Sequence, residues 1–403
     1  MSKKNKKTAQ KQSQGAYKHF LNDLQQALYA IKMKVQIADL SNEFKHMLFD
    51  YRIIVRNPEA GNEHISSNEL KLIGEKAQYY YRNDQIEFNT FQLTCYQLQL
   101  IFCYATMVKI QKEKQIKDKT NKDLLDVTDA ANKFFQVFCS QYLLDYFKII
   151  TQLCSPDKKY YSLNIRAAAI LKTNPQKEYV NEVYGFPARK YMIEVNGNKR
   201  PAFRMAKPLG NAQHIAWLST DNSRLGDFYK GNKKELDIYI QSHALKRLNE
   251  RLDLLDQDAI NYALWKNTSS KFEFKTYRNY LLLPFRVFDI KIGYFVANIV
   301  DDQLLFSTFL FITHSCTPEG DRLKKISGLE KQDINYWHID RLSTFVHLKE
   351  EKYPGLVQLF SEAGLDDLKE LKNKDFDIDS LQEANLDAFA EYINKNKSTA
   401  SMC

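Results

Sequence analysis

Cysteine is scarce and carries no pattern. Six stand at Cys95, Cys103, Cys139, Cys154, Cys316 and Cys403, with no C-x-x-C pair, which excludes a disulfide framework and zinc-finger spacing and suggests reduced thiols in a cytoplasmic protein. Glycine and proline number 13 and 9, too few for a collagen-like or low-complexity chain. No unbroken apolar run reaches the roughly 18 residues that span a bilayer. The least charged stretch, Phe91 to Ile110, is interrupted by Gln92, Gln97, Gln99 and Lys109 and reads as a core helix, so no membrane partner is expected. Nor is a secretory signal, because Lys18, His19 and Asp23 stand where an apolar segment is required. The loops G-x-x-x-x-G-K-S/T and G-x-G-x-x-G, the helix H-E-x-x-H and the elbow G-x-S-x-G are all missing. Nucleotide hydrolysis, zinc proteolysis and serine hydrolysis thus lack their usual handles, and neither a cofactor nor a metal is expected.

What is present describes a chain that can build a sizeable core. At 403 residues, 44% of them apolar and 13% aromatic, two or three domains are expected. The charge balance is 58 basic against 49 acidic residues, a net +9, a mild excess that suits an anionic partner without identifying one. The first 18 residues hold six lysines and no acid, so residues 1–16 are expected to be a disordered basic tail, either solubilising or in contact with nucleic-acid phosphates.

Residues 17–153 read as a helical domain. Phe20, Leu24, Leu28, Ile31 and Val35 recur with the period of one buried helix face. Ser66 with Glu69, and Thr120 with Asp123, resemble capping pairs that start helices. From Thr120 to Leu153 one long helix presents an aromatic stripe, Phe134, Phe138, Tyr142 and Tyr146, which is expected to be core or, alternatively, a groove for a partner protein. The run Tyr79, Tyr80, Tyr81 could stack bases, but consecutive residues cannot share a helix face, and packing is the expected use.

After Ser155 and Pro156 alternation replaces the helical period, and residues 154–350 read as an antiparallel α+β domain. Lys190 to Lys207 is a hairpin turning at Asn196, Gly197 and Asn198. Strands are also expected near 214–219, 236–240, 281–299 and 304–313, the last apolar on both parities and therefore central. Thr317, Pro318 and Glu319 open a helix that Gly328 closes. Another helix is expected from Lys331 to His347, with His338, Asp340 and Arg341 on its surface. Residues 351–403 form a C-terminal helical extension ending in an acidic surface helix. The fold class is α+β, an N-terminal helical domain followed by an antiparallel-sheet domain flanked by helices.

The chemically informative stretch is Ser242, His243, Ala244, Leu245, Lys246, Arg247, Leu248, Asn249, Glu250, Arg251. At about 100° per residue, Arg247 lies about 40° from His243, Arg251 about 80° and Glu250 about 20° to the other side. Leu245, Leu248, Leu252 and Leu255 occupy the opposite, buried side, so the polar stripe runs along the rim of the core. A proton carrier that titrates near neutrality beside fixed cations is what phosphodiester chemistry requires. His314, at the end of the expected central strand and beside a helix start, is where a sheet-based site would add a second polar group.

The order S-x-H-A-x-x-R-x-x-E-R on a helix, followed by antiparallel strands, resembles the RelE-like and colicin-like ribonuclease toxin superfamily. The likeness covers about residues 236–320 and none of the helical half. It implies metal-independent endonucleolytic cleavage of RNA, with His243, Arg247 and Arg251 as site residues and Glu250 orienting a guanidinium. The helical domain would then regulate, deliver or bind a neutralising protein. Arg286, Lys291 and His314 lie outside the shared motif, and the sheet is longer than a compact toxin needs. The same residues also fit a plainer account, in which His243 borders the core and the arginines form a solvated face paired with Glu250. On that account the protein is a non-catalytic accessory factor of a mobile element that binds nucleic acid or protein.

Overall fold

The computed structural model describes residues 3–115, 122–167, 178–195, 197–374, 390 and 393. The fold is α+β, with helices toward the N-terminus and the main sheet in the second half. The chain divides into two compact units: residues 1–150, 162–185 and 209–214, and residues 151–161, 186–208 and 215–403. The backbone therefore passes between units several times, where the sequence suggested one boundary near residue 154.

Among the described residues the first unit is built on the helices α1 (Lys3–Ala30), α2 (Asn42–Tyr51), α3 (Ser67–Asn83), α4 (Cys95–Gln115) and most of α5 (Lys122–Leu153). Helix α1 starts inside the stretch read as a disordered tail; its Lys, Gln and Ala residues are good helix formers despite their polarity. Phe20, Leu24 and Leu28 form its buried face. Ser66 and Glu69 make the expected reciprocal cap of α3, Ser66 Oγ accepting from Glu69 N and Glu69 Oε2 from Ser66 N at 2.7 Å. The second expected cap, at Thr120, lies outside the described residues. The aromatic stripe of α5 is core: Phe138, Tyr142 and Tyr146 are buried, and Asn181 Nδ2 donates to both tyrosine hydroxyls at 2.7 and 3.0 Å. Tyr81 is buried and bonds Gln99, whereas Tyr79 points to solvent, so the tyrosine run splits by helix face.

The second unit carries β1 (Lys190–Val195), β2 (Asn198–Arg204), β3 (Glu235–Gln241), α6 (Ser242–Arg251), α7 (Gln257–Ser269), β4 (Lys275–Tyr277), β5 (Tyr280–Val287), β6 (Ile290–Val300) and β7 (Gln303–Phe311). The strand order is β4-β5-β6-β7-β3-β2-β1, with Ser219–Asp221 added against β3. The β1–β2 hairpin turns where expected, with Val195 opposite Asn198. Strand β7 is central and carries the consecutive buried residues Leu304, Leu305 and Phe306. Within this sheet one pairing departs from the antiparallel expectation, β3 running parallel to β7 with Ile238 opposite Leu304 and Ile240 opposite Phe306, and outside it Glu178–Pro187 pairs parallel with Ile54–Val55 and Glu59–Ala60. The β4–β7 meander returns beside β3 in the same direction, and parallel neighbours need a long crossover, here α6 and α7.

Helix α8 (Pro318–Ser327) begins as read, with Thr317 Oγ1 accepting from Gly320 N at 3.0 Å, and ends at Gly328, whose φ of 72° is left-handed. Buried Glu319 fixes that start to the sheet, accepting from Lys291 Nζ at 2.7 Å and from Tyr294 Oη. The single helix expected over 331–347 is instead α9 (Lys331–Tyr336) and α10 (Leu342–Val346), separated by a turn in which His338 takes a φ of 55°. Helix α11 (Pro354–Glu362) and a 3-10 turn at Asp366–Asn373 follow, the latter burying Leu368 and Leu371. Most of the expected acidic helix beyond residue 374 lies outside the described residues.

Candidate active site

Helix α6 begins where β3 ends, so the transition from period two to period 3.6 sets the direction of its side chains. Ala244, Leu248 and Leu252 face the core with Ile240 and Phe306. His243, Arg247 and Arg251 then line a cleft of about 470 Å³, and His314, at the far end of β7, lines the same cleft. The residues named from the sequence are therefore brought together across a gap of 63 positions between Arg251 and His314.

The floor of the cleft is a stretch of the sheet with one open face. Thr308 and Leu310 are half-buried and alternate with buried Phe309 and Phe311. A register shift between Val296 and Ala297 leaves Ser307 as an extra residue on β7, a bulge that turns its hydroxyl toward Asn298 Nδ2 at 2.7 Å. Arg200 on β2, Gln241 on β3, Ser307 on β7, Asn298 on β6 and Tyr280 on β5 all line the cleft. These are adjacent strands, so the cleft crosses four strand spacings, roughly 19 Å.

The charged groups are not equivalent. Arg251 Nη1 holds Asp340 Oδ2 at 2.5 Å, both side chains largely out of solvent, at 15% and 5% exposure. Arg247 Nη1 contacts Glu250 Oε2 at 2.8 Å but remains 42% exposed, so this pair sits at the rim. Arg200 and Lys331 are exposed and add two more cations. The surrounding potential is positive, and both imidazoles register it. The His243 pKa is lowered, first by partial burial and then by Arg247 and Arg200. The His314 pKa is pushed down to about 4, mainly by burial, then by Lys331 and Arg251. At neutral pH His314 is therefore uncharged. Its Nδ1 accepts from the backbone N–H of Cys316 at 3.1 Å, which leaves the ring proton on Nε2 as a donor.

Several residues of the cleft escaped the sequence reading. The helical period places Asp340 on a helix surface; it is instead buried, in the turn between α9 and α10, and it is the partner of Arg251. No local pattern marks it, because its burial depends on the chain reversal at His338. Gln241 is also buried, and no pattern marks it: it shares a face of β3 with Glu235, Asp237 and Tyr239, not with the core residues Leu236, Ile238 and Ile240. Arg200, Tyr280, Cys316, Lys331 and Asn335 come from separate elements and share no spacing. Arg286 and Lys291 are not among the lining residues; Arg286 bonds the Asp289 carbonyl, and Lys291 pairs with Glu319. Among the described residues no three His, Cys, Asp or Glu side chains converge as metal ligands, and no helix is long and apolar enough to cross a membrane. No disulfide joins the five described cysteines.

No protein-family model, curated protein or solved structure matches this chain.

Proposed function

We propose that the protein is an endoribonuclease that cleaves single-stranded RNA without a metal ion, using the cleft between α6 and the open face of the sheet. The observation that carries this reading is the convergence of His243, Arg247, Arg251 and His314 on one concave, cation-rich surface. A cleft that crosses five strands suits an extended polymer better than a compact small molecule, and its cations suit a phosphate backbone. Affiliation with the RelE-like and colicin-like ribonuclease toxins is part of the same proposal and rests on the α6 motif.

In this mechanism the 2′-oxygen of a ribose attacks the adjacent phosphorus. The new 2′-oxygen–phosphorus bond forms as the 5′-oxygen–phosphorus bond breaks. His243, uncharged because its pKa is depressed, takes the proton from the 2′-hydroxyl. The departing 5′-oxygen takes a proton from water in the open cleft, leaving a 2′,3′-cyclic phosphate and a 5′-hydroxyl. Arg247 and Arg200 balance the charge that accumulates on phosphorus-bound oxygens, and His314 donates its Nε2 proton as a hydrogen bond. Arg251, tied to Asp340, holds the wall of the site and offers its remaining N–H groups. The expected outcome is cleavage that survives EDTA and disappears in His243→Ala. Identical products from wild type and variant, or no cleavage by either, would remove the proposal.

One observation favours a second reading: both arginines of α6 already have carboxylate partners. A cleft that binds nucleic acid without cleaving it would keep its affinity in His243→Ala and yield no products from the wild type.

A further inference from the structure

Two buried polar atoms of the cleft have no partner. Gln241 is 2% exposed and Asp340 4%, both line the cleft, and Gln241 Nε2 and Asp340 Oδ1 are each without a hydrogen bond. A buried polar atom left unpaired is disfavoured, so two of them at one cleft call for an explanation in terms of what the cleft receives. The pair is chemically complementary. An amide nitrogen offers N–H donors, and the second carboxylate oxygen, its neighbour being held by Arg251, offers an acceptor.

As a pair the two atoms do not suit a phosphate group. A phosphodiester is an acceptor throughout, and Asp340 Oδ1 would repel it. The carboxylate oxygen calls for a neutral group with an N–H, and the amide calls for an oxygen or ring nitrogen beside it. We infer that Gln241 and Asp340 read a nucleobase whose ring N–H stands next to a carbonyl, as in guanine and uracil, with Asp340 Oδ1 accepting the ring N–H and Gln241 Nε2 donating to the carbonyl. Adenine and cytosine present a ring lone pair where that N–H would be, facing the carboxylate. Gln241 stands two positions before His243 and both line the cleft, so a base held there is placed near the proton carrier. Sites that bind a hydrogen-bonding group in this way reject analogues that leave their buried atoms unpaired. This assignment rests on the nucleic-acid reading of the cleft and adds base selection to it.

The experiment measures binding of the full chain to four 2′-deoxy homo-oligomers, of guanine, uracil, adenine and cytosine, which have no 2′-hydroxyl and so report binding apart from cleavage. The expected result is tenfold or greater preference for guanine, uracil or both over adenine and cytosine, and the two favoured arms tell which base is read. Gln241→Leu is expected to reduce that preference to within twofold. Gln241→Glu keeps the shape while replacing the donor with an acceptor, and it is expected to lose the preference as well; circular dichroism establishes that each variant is folded. Equal binding of all four oligomers, or a preference that persists in both folded variants, overturns the inference while leaving cleavage of RNA intact. Absence of binding to any oligomer, together with absence of RNA cleavage, overturns the inference and the nuclease reading together.

Discussion

Gly320 lies against the backbone of His314 so closely that no side chain fits there. A β-carbon at position 320 would run into the His314 carbonyl and lie 2.7 Å from the Thr313 carbonyl carbon. These are backbone atoms, which cannot swing aside as the end of a flexible side chain can. The contact explains how the chain reverses from β7 into α8 within a few residues, with Thr317 Oγ1 donating to the Ile312 or His314 carbonyl and capping the helix. It also sets the backbone position from which His314 lines the cleft. Gly320→Ala is expected to shift the His314 backbone, lower stability by about 1–3 kcal/mol and reduce RNA cleavage more than that loss explains. Urea denaturation and a cleavage assay on the folded variant measure the two effects separately.

Arg251 and Asp340 make the most enclosed ion pair at the cleft. Removing one member leaves the other charged and poorly solvated, and such losses are typically about 3–5 kcal/mol. Asp340→Ala is therefore expected to lower the urea midpoint strongly. Arg247→Ala should scarcely change it, because its pair with Glu250 stands at the rim and exposed pairs contribute roughly 0–1 kcal/mol. Equal stability of the two variants would show that the Arg251–Asp340 pair is not enclosed as described.

The contrast between these arginines marks what the sequence could and could not reveal. The α6 stripe is legible because it depends on a single helix: four polar residues on one side, leucines on the other, and a strand before it. The caps at Ser66 and Thr317 and the central place of β7 are local for the same reason, written in residues within a few positions of each other. Asp340 is not local. It reaches Arg251 through a reversal at His338, where neither Gly nor Pro announces a break, and a helical period carried through 331–347 puts it on the outside. Strand direction is equally hidden, since a buried strand reads the same whether its neighbour runs parallel or antiparallel, and the β3–β7 pairing follows only from the path of the crossover. The polar stripe could be found in sequence, but the carboxylate and amide facing it could not be assigned to the same cleft.

His314 makes stability depend on pH with a definite sign. Its pKa in the folded protein is about 4, against roughly 6.5 in an unfolded chain. Between these values the unfolded state binds the proton and the folded state does not, so stability rises with pH across the window and is lost as pH falls from about 6.5 toward 4. Each pKa unit corresponds to about 1.4 kcal/mol, which puts this contribution at about 3 kcal/mol. Carboxylates titrate in part of the same range, so the informative quantity is the difference between wild type and His314→Gln. The wild-type curve of unfolding free energy should be steeper between pH 4 and pH 6.5, and parallel curves would show that His314 is solvated.

The cations at the cleft mouth are expected to control RNA binding through ion release. Neutralising backbone phosphates frees condensed counterions, so the logarithm of affinity falls linearly with the logarithm of salt, by about 0.7 per phosphate on a single strand. Arg200, Arg247 and Lys331 are the lining cations most open to solvent, and one phosphate apiece gives a slope of about −2. Each single alanine variant should weaken binding to all sequences alike and flatten the slope by about 0.7, whereas Arg251→Ala, whose guanidinium is already engaged by Asp340, should flatten it less while destabilising the protein. Fluorescence anisotropy of a labelled oligomer across a salt series gives both numbers. Unchanged slopes in the Arg200, Arg247 and Lys331 variants would place the RNA backbone elsewhere on the protein.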